Sequence, residues 1–284
     1  MGKLRVLLIT RECLRTDSNE GNVLLGLFSG IDAEYANIYC KPGLPDNSLC
    51  GGYFQLTDKM ALENILHRKP MGRRVQCENG INAAQTAEVE KRGFYDFFRR
   101  HNLPVFHAAR ECLWSIADFR SGELDSFVRG FAPDVIFAPL CYSMYVLAVQ
   151  RYVISLAGCP AVTYIYDDLY SLRQISFSPM YWLCRFRQRR LIRKTLPFYR
   201  FAYTMCAQQA REFGRYFDIP MRVLPKCAGT VQQPERPADG TVRLIYAGGV
   251  YYGRDKTLAA VAGTVRELNA AGVSARLDVY TSSP

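Results

Sequence analysis

Glycines and basic residues lie together where a predicted strand passes into a predicted helix. A short apolar, β-branched run at residues 242–246 is typical of a buried strand, and a helical period begins at residue 257. The residues between them that could do chemistry are Gly248, Gly249, Gly253, Arg254 and Lys256. Glycines at such a turn let backbone N–H groups approach a phosphate at the positive end of the helix. The pattern therefore predicts phosphate binding; an ordinary strand–helix turn with two solvated basic residues is the alternative.

Polar residues also follow the first predicted strand. Ligands of open parallel sheets bind at the carboxyl ends of strands, so Arg11, Asp17 and Asn19 are candidate binding residues. Gly21 lies at the start of the next predicted helix, where its backbone could approach a phosphate or a sugar. The segment lacks the GxGxxG spacing of a nicotinamide or flavin site. The alternative is an ordinary loop in which Ser18 or Asn19 caps the helix.

A pair of carboxylates, Asp167 and Asp168, ends a predicted strand at residues 161–168. Adjacent side chains on a strand point to opposite faces, so the pair is not expected to chelate one ion. One carboxylate could orient a sugar hydroxyl from a cleft while the other caps the following turn. Two turn-forming aspartates are the alternative.

A strongly basic helix is predicted at residues 178–196. The chain from Leu169 through Arg211 contains nine Arg or Lys and no acidic residue. Aromatic and aliphatic residues lie among these bases, a combination that suits an anionic membrane surface. The candidate membrane-binding residues are Arg187, Arg189, Arg190, Arg193 and Lys194. A solvated basic face is the alternative, and nucleic-acid binding ranks last because no recognised nucleic-acid motif accompanies the charge.

Composition limits the classes of protein to consider. The 284 residues carry a net charge of +10 and are 49% hydrophobic, which indicates a globular chain with anionic partners. The ten cysteines include no CxxC pair and predict reduced thiols of a cytoplasmic protein rather than a disulfide framework or a zinc site. No P-loop, HExxH or GxSxG motif supports nucleotide hydrolysis, zinc proteolysis or serine hydrolysis. The histidines, interpreted as packing or surface residues, are His67, His101 and His107.

Strands that alternate with helices predict an α/β fold with a doubly wound, Rossmann-like parallel sheet. Residues 1–228 form the first predicted domain, and a Gly/Pro/Gln-rich stretch at 229–241 is interpreted as a linker. Residues 242–284 predict a single strand–helix–strand unit. Because such a unit cannot bury both faces of a parallel sheet, we expect the second domain to be incomplete and to continue past Pro284.

Local patterns within the first domain predict several boundaries. Asp58 is expected to cap a helix that ends at residue 67, and a basic loop is expected at 68–74. A further helix is predicted over 82–100, and a strand over 134–140.

These stretches, in this order, resemble GT-B glycosyltransferases of the large retaining family 4 type. The resemblance rests on KLRVLLIT at residues 3–10 with DSNEG at 17–21, AVTYIYDD at 161–168 and LIYAGGVYYGR at 244–254. It implies a two-domain enzyme whose first domain takes the acceptor, often a lipid-linked sugar at the membrane. The second domain takes a nucleotide-sugar. The members that this chain resembles build bacterial capsular or exopolysaccharides, and such enzymes usually need no metal or other cofactor.

The resemblance also implies donor-binding residues. Arg254 stands near the position of a phosphate-binding lysine in relatives, Lys256 assists it, and Gly21 brings backbone close to the donor. Gly249 occupies the place where many relatives have a second phosphate-binding arginine. The donor-binding glutamates of relatives correspond to positions beyond Pro284.

Catalytic and acceptor residues follow from the same resemblance. Asp167, with Asp168 beside it, falls near the strand end where many relatives carry a catalytic-site histidine. The implied acceptor-binding residues are Arg11, Asp17 and Asn19. A second hypothesis stays open, in which the chain is a non-catalytic basic peripheral protein that binds anionic membrane or polysaccharide through residues 178–200.

Overall fold

The structure is a computed structural model that describes residues 2–75, 104–225, 239–250 and 253–281. The chain divides into two compact units, Met1–Cys227 and Ala228–Pro284, here called unit 1 and unit 2. Each unit contains a sheet of its own.

Unit 1 is built on one large sheet. Its strands are β1 (Leu4–Thr10), β2 (Ala33–Tyr39), β3 (Cys50–Gln55), β4 (Arg73–Val75), β5 (Val135–Phe137), β6 (Ala161–Ile165), β7 (Phe201–Thr204) and β8 (Met221–Val223). Their order across the sheet is β4-β3-β2-β1-β5-β6-β7-β8, and neighbouring strands are parallel except β3 and β4. The predicted α/β fold with a doubly wound, Rossmann-like parallel sheet is confirmed.

Helices connect the strands and cover both faces of this sheet. They are α1 (Asn19–Phe28), α2 (Asp58–His67), α3 (Pro104–Ile116), α4 (Gly122–Phe131), α5 (Met144–Ala157), α6 (Pro179–Thr195) and α7 (Ala207–Gly214). Alternate residues of β1 point to opposite faces. Leu7 and Ile9 pack in the core with α2 to α7, whereas Val6 and Leu8 pack with α1. Burial on both faces explains why the strand is apolar throughout.

Some sequence-based boundaries are wrong. Residues 73–75, expected to begin within a basic loop, form the antiparallel edge strand β4, because Gly72 at φ +99° redirects the chain towards β3. β6 ends at Ile165, so the paired aspartates lie in the loop beyond it. Thr57, not Asp58, caps α2, since the extended Thr57 backbone lets its hydroxyl accept a first-turn N–H. The helix predicted over 82–100 lies outside the described residues.

Unit 2 is described from residue 239 onwards, so most of the predicted linker at 229–241 lies outside the described residues. Strands β9 (Val242–Ala247) and β10 (Ala275–Tyr280) pair in parallel, joined by α8 (Arg254–Ala270). The helix begins three positions before the predicted start at residue 257, and Gly253 precedes it at φ +80°. Arg254 and Lys256 therefore lie in the first helical turn.

None of the helices described for the two units combines the length and the apolar character that crossing a bilayer requires.

Candidate functional site

Charged residues meet at the carboxyl edge of the unit 1 sheet. Arg11 and Glu12 directly follow β1, and Lys41 comes two positions after the end of β2. Glu20 lies in the first turn of α1, the helix that follows β1. Lys41 forms an ion pair with Glu12, and their side chains are only 22% and 37% exposed. This edge is where ligands of open parallel sheets bind.

Burial and neighbouring charges shift the pKa values of the ionisable side chains at this edge. Burial lowers the pKa of Lys41, and the positive charge of Arg11 acts in the same direction. Burial raises the pKa of Glu20 to about 7, and the negative charge of Glu12 adds to the rise. A carboxyl group with a pKa near neutrality can take or give a proton at ordinary pH. Glu20 is therefore the acid–base candidate of this edge.

A cavity of about 400 Å³ opens on the same edge, lined by residues of α3, α5 and α6. We call it the arginine cavity. Its charged lining residues are Arg11, His107, Arg110, Glu111 and Arg185. Arg11 donates a hydrogen bond to the hydroxyl of Tyr142 and lies over its ring, 4.4 Å from the centroid. The lining thus has more positive than negative groups.

A carboxylate from α3 caps the start of α5. Glu111 accepts the backbone N–H groups of Met144 at 3.0 Å and Tyr145 at 3.1 Å. Ser143, the N-cap residue, makes no side-chain capping bond, because Glu111 takes its place. Burial raises the pKa of Glu111 to about 7, although the two N–H groups act against the rise.

An aromatic and ionic contact fixes the wall of the arginine cavity. Asp58 accepts hydrogen bonds from Arg110 Nε at 2.9 Å and Trp114 Nε1 at 2.6 Å. Trp114 stacks on Tyr145, with ring centroids 4.4 Å apart and planes at 21°. Three helices, α2, α3 and α5, are thereby joined behind the cavity. Their side chains are held in place before any ligand arrives, which favours binding.

The paired aspartates have different surroundings. The Asp168 carboxylate accepts the N–H groups of Tyr170 at 3.3 Å and Ser171 at 2.8 Å, and also the Ser171 hydroxyl. Partial burial raises the pKa of Asp168, but these hydrogen bonds outweigh it and hold the pKa below its usual value. Asp167 is exposed in the same loop. Asp168 is exposed as well, but its carboxylate holds the turn, so Asp167 is the carboxylate better placed to contact a ligand.

Two arginines of the predicted membrane set hold the loop after β6. Arg189 lies over the Tyr170 ring, 3.9 Å from its centroid, and donates to the Tyr170 carbonyl oxygen. Arg193 donates through Nε to the Tyr170 hydroxyl. The other members of the set are exposed on α6: Arg187, Arg190 and Lys194.

Arg185 is buried between α6 and the loop after β6, with 8% of its surface exposed. Its Nη2 donates to the carbonyl oxygens of Ser171 at 2.7 Å and Asp168 at 3.3 Å. Its Nη1 donates to Gln188 Oε1 at 3.1 Å. The guanidinium thus joins the loop, the helix and the arginine cavity.

The remaining candidates near β1 lie at the start of α1, outside the lining of the arginine cavity. Asp17 forms a two-point ion pair with Arg15, with both N–O distances at 2.7 Å. Ser18 caps the helix, so Asn19 is its exposed first residue. Gly21 is buried, and a Cβ there would lie 2.3 Å from the Arg15 carbonyl oxygen. The structure brings Arg11 to the cavity but not these three.

The glycine turn of unit 2 is held by its own side chains. The Tyr246 hydroxyl donates to the Gly249 carbonyl oxygen at 2.8 Å, and Arg254 Nη1 donates to the same oxygen at 3.5 Å. The Gly248 N–H donates to the Tyr280 carbonyl oxygen at 3.0 Å. Gly253 offers no side-chain cap to α8. Arg254 and Lys256 are exposed in its first turn.

A larger cavity, of about 690 Å³, lies against the sheet face that carries α1. Its lining is mostly apolar, with Arg200 and Arg222 as the charged residues. Because none of its lining residues in the described part of the chain is a carboxylate or a histidine, the arginine cavity is the better place for acid–base or polar chemistry. Among the described residues, no group of three His, Cys, Asp or Glu side chains is arranged to hold a metal ion.

Several residues at this edge were missed by the sequence interpretation. Lys41 and Glu20 could have been found, since one lies just past a strand and the other at the start of the next helix. Arg110 and Glu111 lie inside α3, where nothing in the sequence distinguishes them from surface charges. His107, interpreted as a packing or surface residue, is exposed and also lines the arginine cavity.

Comparisons with known proteins give distant structural likenesses. The chain matches no protein-family profile and no curated protein. It is similar to Phytolacca americana UGT2 complexed with UDP-2fluoro-glucose and pterostilbene, at 8% identity and TM-score 0.46, over 98% of this chain and 71% of that one. It is also similar to the UDP-forming alpha,alpha-trehalose-phosphate synthase of Burkholderia vietnamiensis, at 11% identity and TM-score 0.46, over 100% and 66%. No function follows from likenesses this distant.

Proposed function

We propose that this chain belongs to a GT-B glycosyltransferase, a retaining hexosyltransferase that moves a sugar from a nucleotide-sugar to a glycan or lipid-linked acceptor. The acceptor would be part of a capsule, exopolysaccharide or other cell-envelope polysaccharide under synthesis. The observation that carries the proposal is the glycine turn of unit 2, where Arg254 bonds to the Gly249 carbonyl oxygen at the start of a helix. The sequence resemblance to family 4 enzymes supports the same function.

The donor diphosphate would bind at this turn. Gly253 gives α8 no side-chain cap, and the first N–H groups of a helix have no acceptor within the helix itself. A diphosphate would satisfy these donors, and the Arg254 and Lys256 side chains add positive charge at the same helix end. Preorganised positive charge of this kind stabilises a leaving phosphate, so the proposed reaction needs no metal.

The acceptor would bind at the carboxyl edge of unit 1. Arg11 and Glu20 supply a positive group and a carboxyl group with a pKa of about 7 at that edge. Asp167, exposed beyond β6, is available to orient sugar hydroxyls, whereas Asp168 shapes the loop that carries it. Asp17 and Asn19 are proposed to contact the acceptor from the start of α1.

Arg254→Ala is expected to weaken the binding of the nucleotide at least tenfold, a loss of about 1.4 kcal/mol, because one charge-assisted phosphate contact disappears. Dissociation constants for UDP, GDP and ADP, measured by isothermal titration calorimetry, check this and identify the donor class. Arg266→Ala, exposed on the same helix, is the matched control and should bind like the parent. Equal affinities for all three proteins, or no binding of any nucleotide, would contradict the donor assignment.

Apolar side chains exposed beside a basic helix favour a second candidate function. Ile175 is 90% exposed and Phe177 98% exposed in the loop before α6, and Leu183 and Phe186 are each 54% exposed on the helix. Exposed apolar clusters of this kind mark interaction surfaces. With Arg187, Arg190 and Lys194 exposed on the same helix, the surface suits an anionic membrane. The chain would then be a basic protein at the inner face of the membrane, with or without transferase activity.

The double substitution Ile175→Ser with Phe177→Ser is expected to lower membrane partitioning at least tenfold, since each apolar side chain gains about 1.5–3 kcal/mol on burial. Co-sedimentation with vesicles of phosphatidylcholine and phosphatidylglycerol measures the effect. The matched control is Leu66→Ser with Ile116→Ser, which removes two apolar side chains that are 64% and 71% exposed elsewhere. Equal losses in both double variants would show that the loop is not a specific membrane surface.

A further inference from the structure

Side chains that line the arginine cavity carry buried hydrogen-bonding atoms that no described group satisfies. They are Arg11 Nε, Arg185 Nε, Gln188 Nε2 and Tyr145 Oη. Arg185, Gln188 and Tyr145 are 8%, 7% and 4% exposed, so their groups are withdrawn from bulk water. A buried donor without an acceptor costs about 1–3 kcal/mol. A small shift of these side chains towards the cavity would let a ligand there supply the missing acceptor atoms.

The side chains that carry these atoms belong to different elements around the cavity. Arg11 comes from the end of β1, Tyr145 from the first turn of α5, and Arg185 and Gln188 from α6. Gln188 cannot turn its amide freely, because its Oε1 accepts from Arg185 at 3.1 Å and leaves Nε2 as the open donor. Donors arranged in three dimensions suit the tetrahedral oxygens of a phosphate better than a planar carboxylate.

The charge of the cavity agrees with an anionic ligand. Three arginines, Arg11, Arg110 and Arg185, line it, and Glu111 is its carboxylate. Both Glu111 oxygens already accept the N–H groups that begin α5, and burial favours the protonated form of this group. Glu111 therefore opposes an incoming anion less than a free carboxylate would.

We propose that the arginine cavity binds a phosphate or diphosphate group of the acceptor. The group would accept from Arg11, Arg185 and Gln188, and the volume of about 400 Å³ leaves room for a diphosphate with its first substituent. The inference deepens the proposed function and rests on it in one respect only, namely that the phosphate belongs to the acceptor. The same chemistry could come from a lipid diphosphate or from a soluble phosphorylated compound.

Titration of the whole chain with inorganic pyrophosphate and with farnesyl diphosphate tests the inference. Gln188→Glu keeps the oxygen that Arg185 uses but replaces the open donor with an anion, and it should weaken binding at least tenfold. Arg11→Gln should also weaken binding at least tenfold. It is the decisive variant if Gln188→Glu fails to fold. Arg129→Gln, exposed on α4, changes the net charge equally and should alter affinity less than twofold.

The outcomes separate this inference from the donor-site proposal. Binding that Gln188→Glu and Arg11→Gln weaken and Arg254→Ala does not supports the arginine cavity, even if no nucleotide binds to the chain. Tighter binding of farnesyl diphosphate than of pyrophosphate, with the same variant pattern, identifies a lipid source; equal binding identifies a soluble one. Pyrophosphate binding that only Arg254→Ala weakens, or no binding of either probe, would overturn the inference.

Discussion

Gly21→Ala is expected to lower the free energy of unfolding by about 3 kcal/mol, at the upper end of the usual cost of overpacking. The added methyl group would lie 2.3 Å from the Arg15 carbonyl oxygen, 2.5 Å from the Arg15 nitrogen and 2.5 Å from Ser18 Oγ. Two of these atoms are backbone, so no side-chain rotation relieves the overlap, and the start of α1 must shift. Urea unfolding followed by circular dichroism measures the loss.

Gly26→Ala is the matched control for this substitution. Gly26 belongs to the same helix, but nothing lies within 4 Å of a Cβ placed there. Alanine at that position should raise stability by about 0.5–1 kcal/mol through helix propensity. Similar effects of the two substitutions would show that the contact with Arg15 does not determine the choice of glycine. A large loss at Gly21 alone would mean that this glycine is required by the protein's own backbone, whether or not a donor binds nearby.

Glu20→Gln is expected to be as stable as the parent at pH 4 and more stable than it by about 2 kcal/mol at pH 8. Burial and the charge of Glu12 raise the pKa of Glu20 to about 7, above the ordinary value of 4.5. A raised pKa stabilises the folded state fully below pH 4.5, and this stabilisation is lost as the pH rises through 7. Glutamine keeps the shape of the side chain and cannot ionise, so the variant avoids that loss.

The measurement for Glu20→Gln is the free energy of unfolding across pH 4 to 8 for the parent and the variant. Part of the pH dependence should persist in Glu20→Gln, because the pKa of Glu111 is also raised to about 7. Glu34→Gln, a substitution at an exposed position of β2, should follow the parent curve. Parallel curves for the parent and Glu20→Gln would show that Glu20 carries no raised pKa and would remove it as the acid–base candidate.

The sheet of unit 1 could be predicted from sequence because its signals are local. Continuous apolar runs such as Val6 to Ile9 indicate strands buried on both faces, and Ser18 before α1 is a helix cap readable from its type. The edge strand β4 could not be predicted, since two of its three residues are arginines and its existence depends on pairing with β3. The sequence likewise could not show which of Asp167 and Asp168 forms the turn, because this depends on the path of the loop.

Most of the arginine cavity was beyond sequence reasoning for a related reason. Glu111 and Arg110 occupy successive positions of α3 and resemble any charged pair of a surface helix. Their partners lie 33 and 52 positions away, at Met144 and Asp58. Only the packing of three helices brings these groups together, and the spacing of residues in the sequence does not predict that packing. Arg11 could be predicted because it directly follows a strand, and ligands of parallel sheets bind at the carboxyl ends of strands.

The Arg185 guanidinium links the exposed loop after β6 to the arginine cavity. One side of it holds the carbonyl oxygens of Asp168 and Ser171 at the start of the loop that exposes Ile175 and Phe177. The other side lines the arginine cavity. If an anion draws the guanidinium towards itself, the loop is held less firmly, and the affinity of the loop for a bilayer changes. Thermodynamic reciprocity then requires that a bilayer change the affinity for the anion by the same factor.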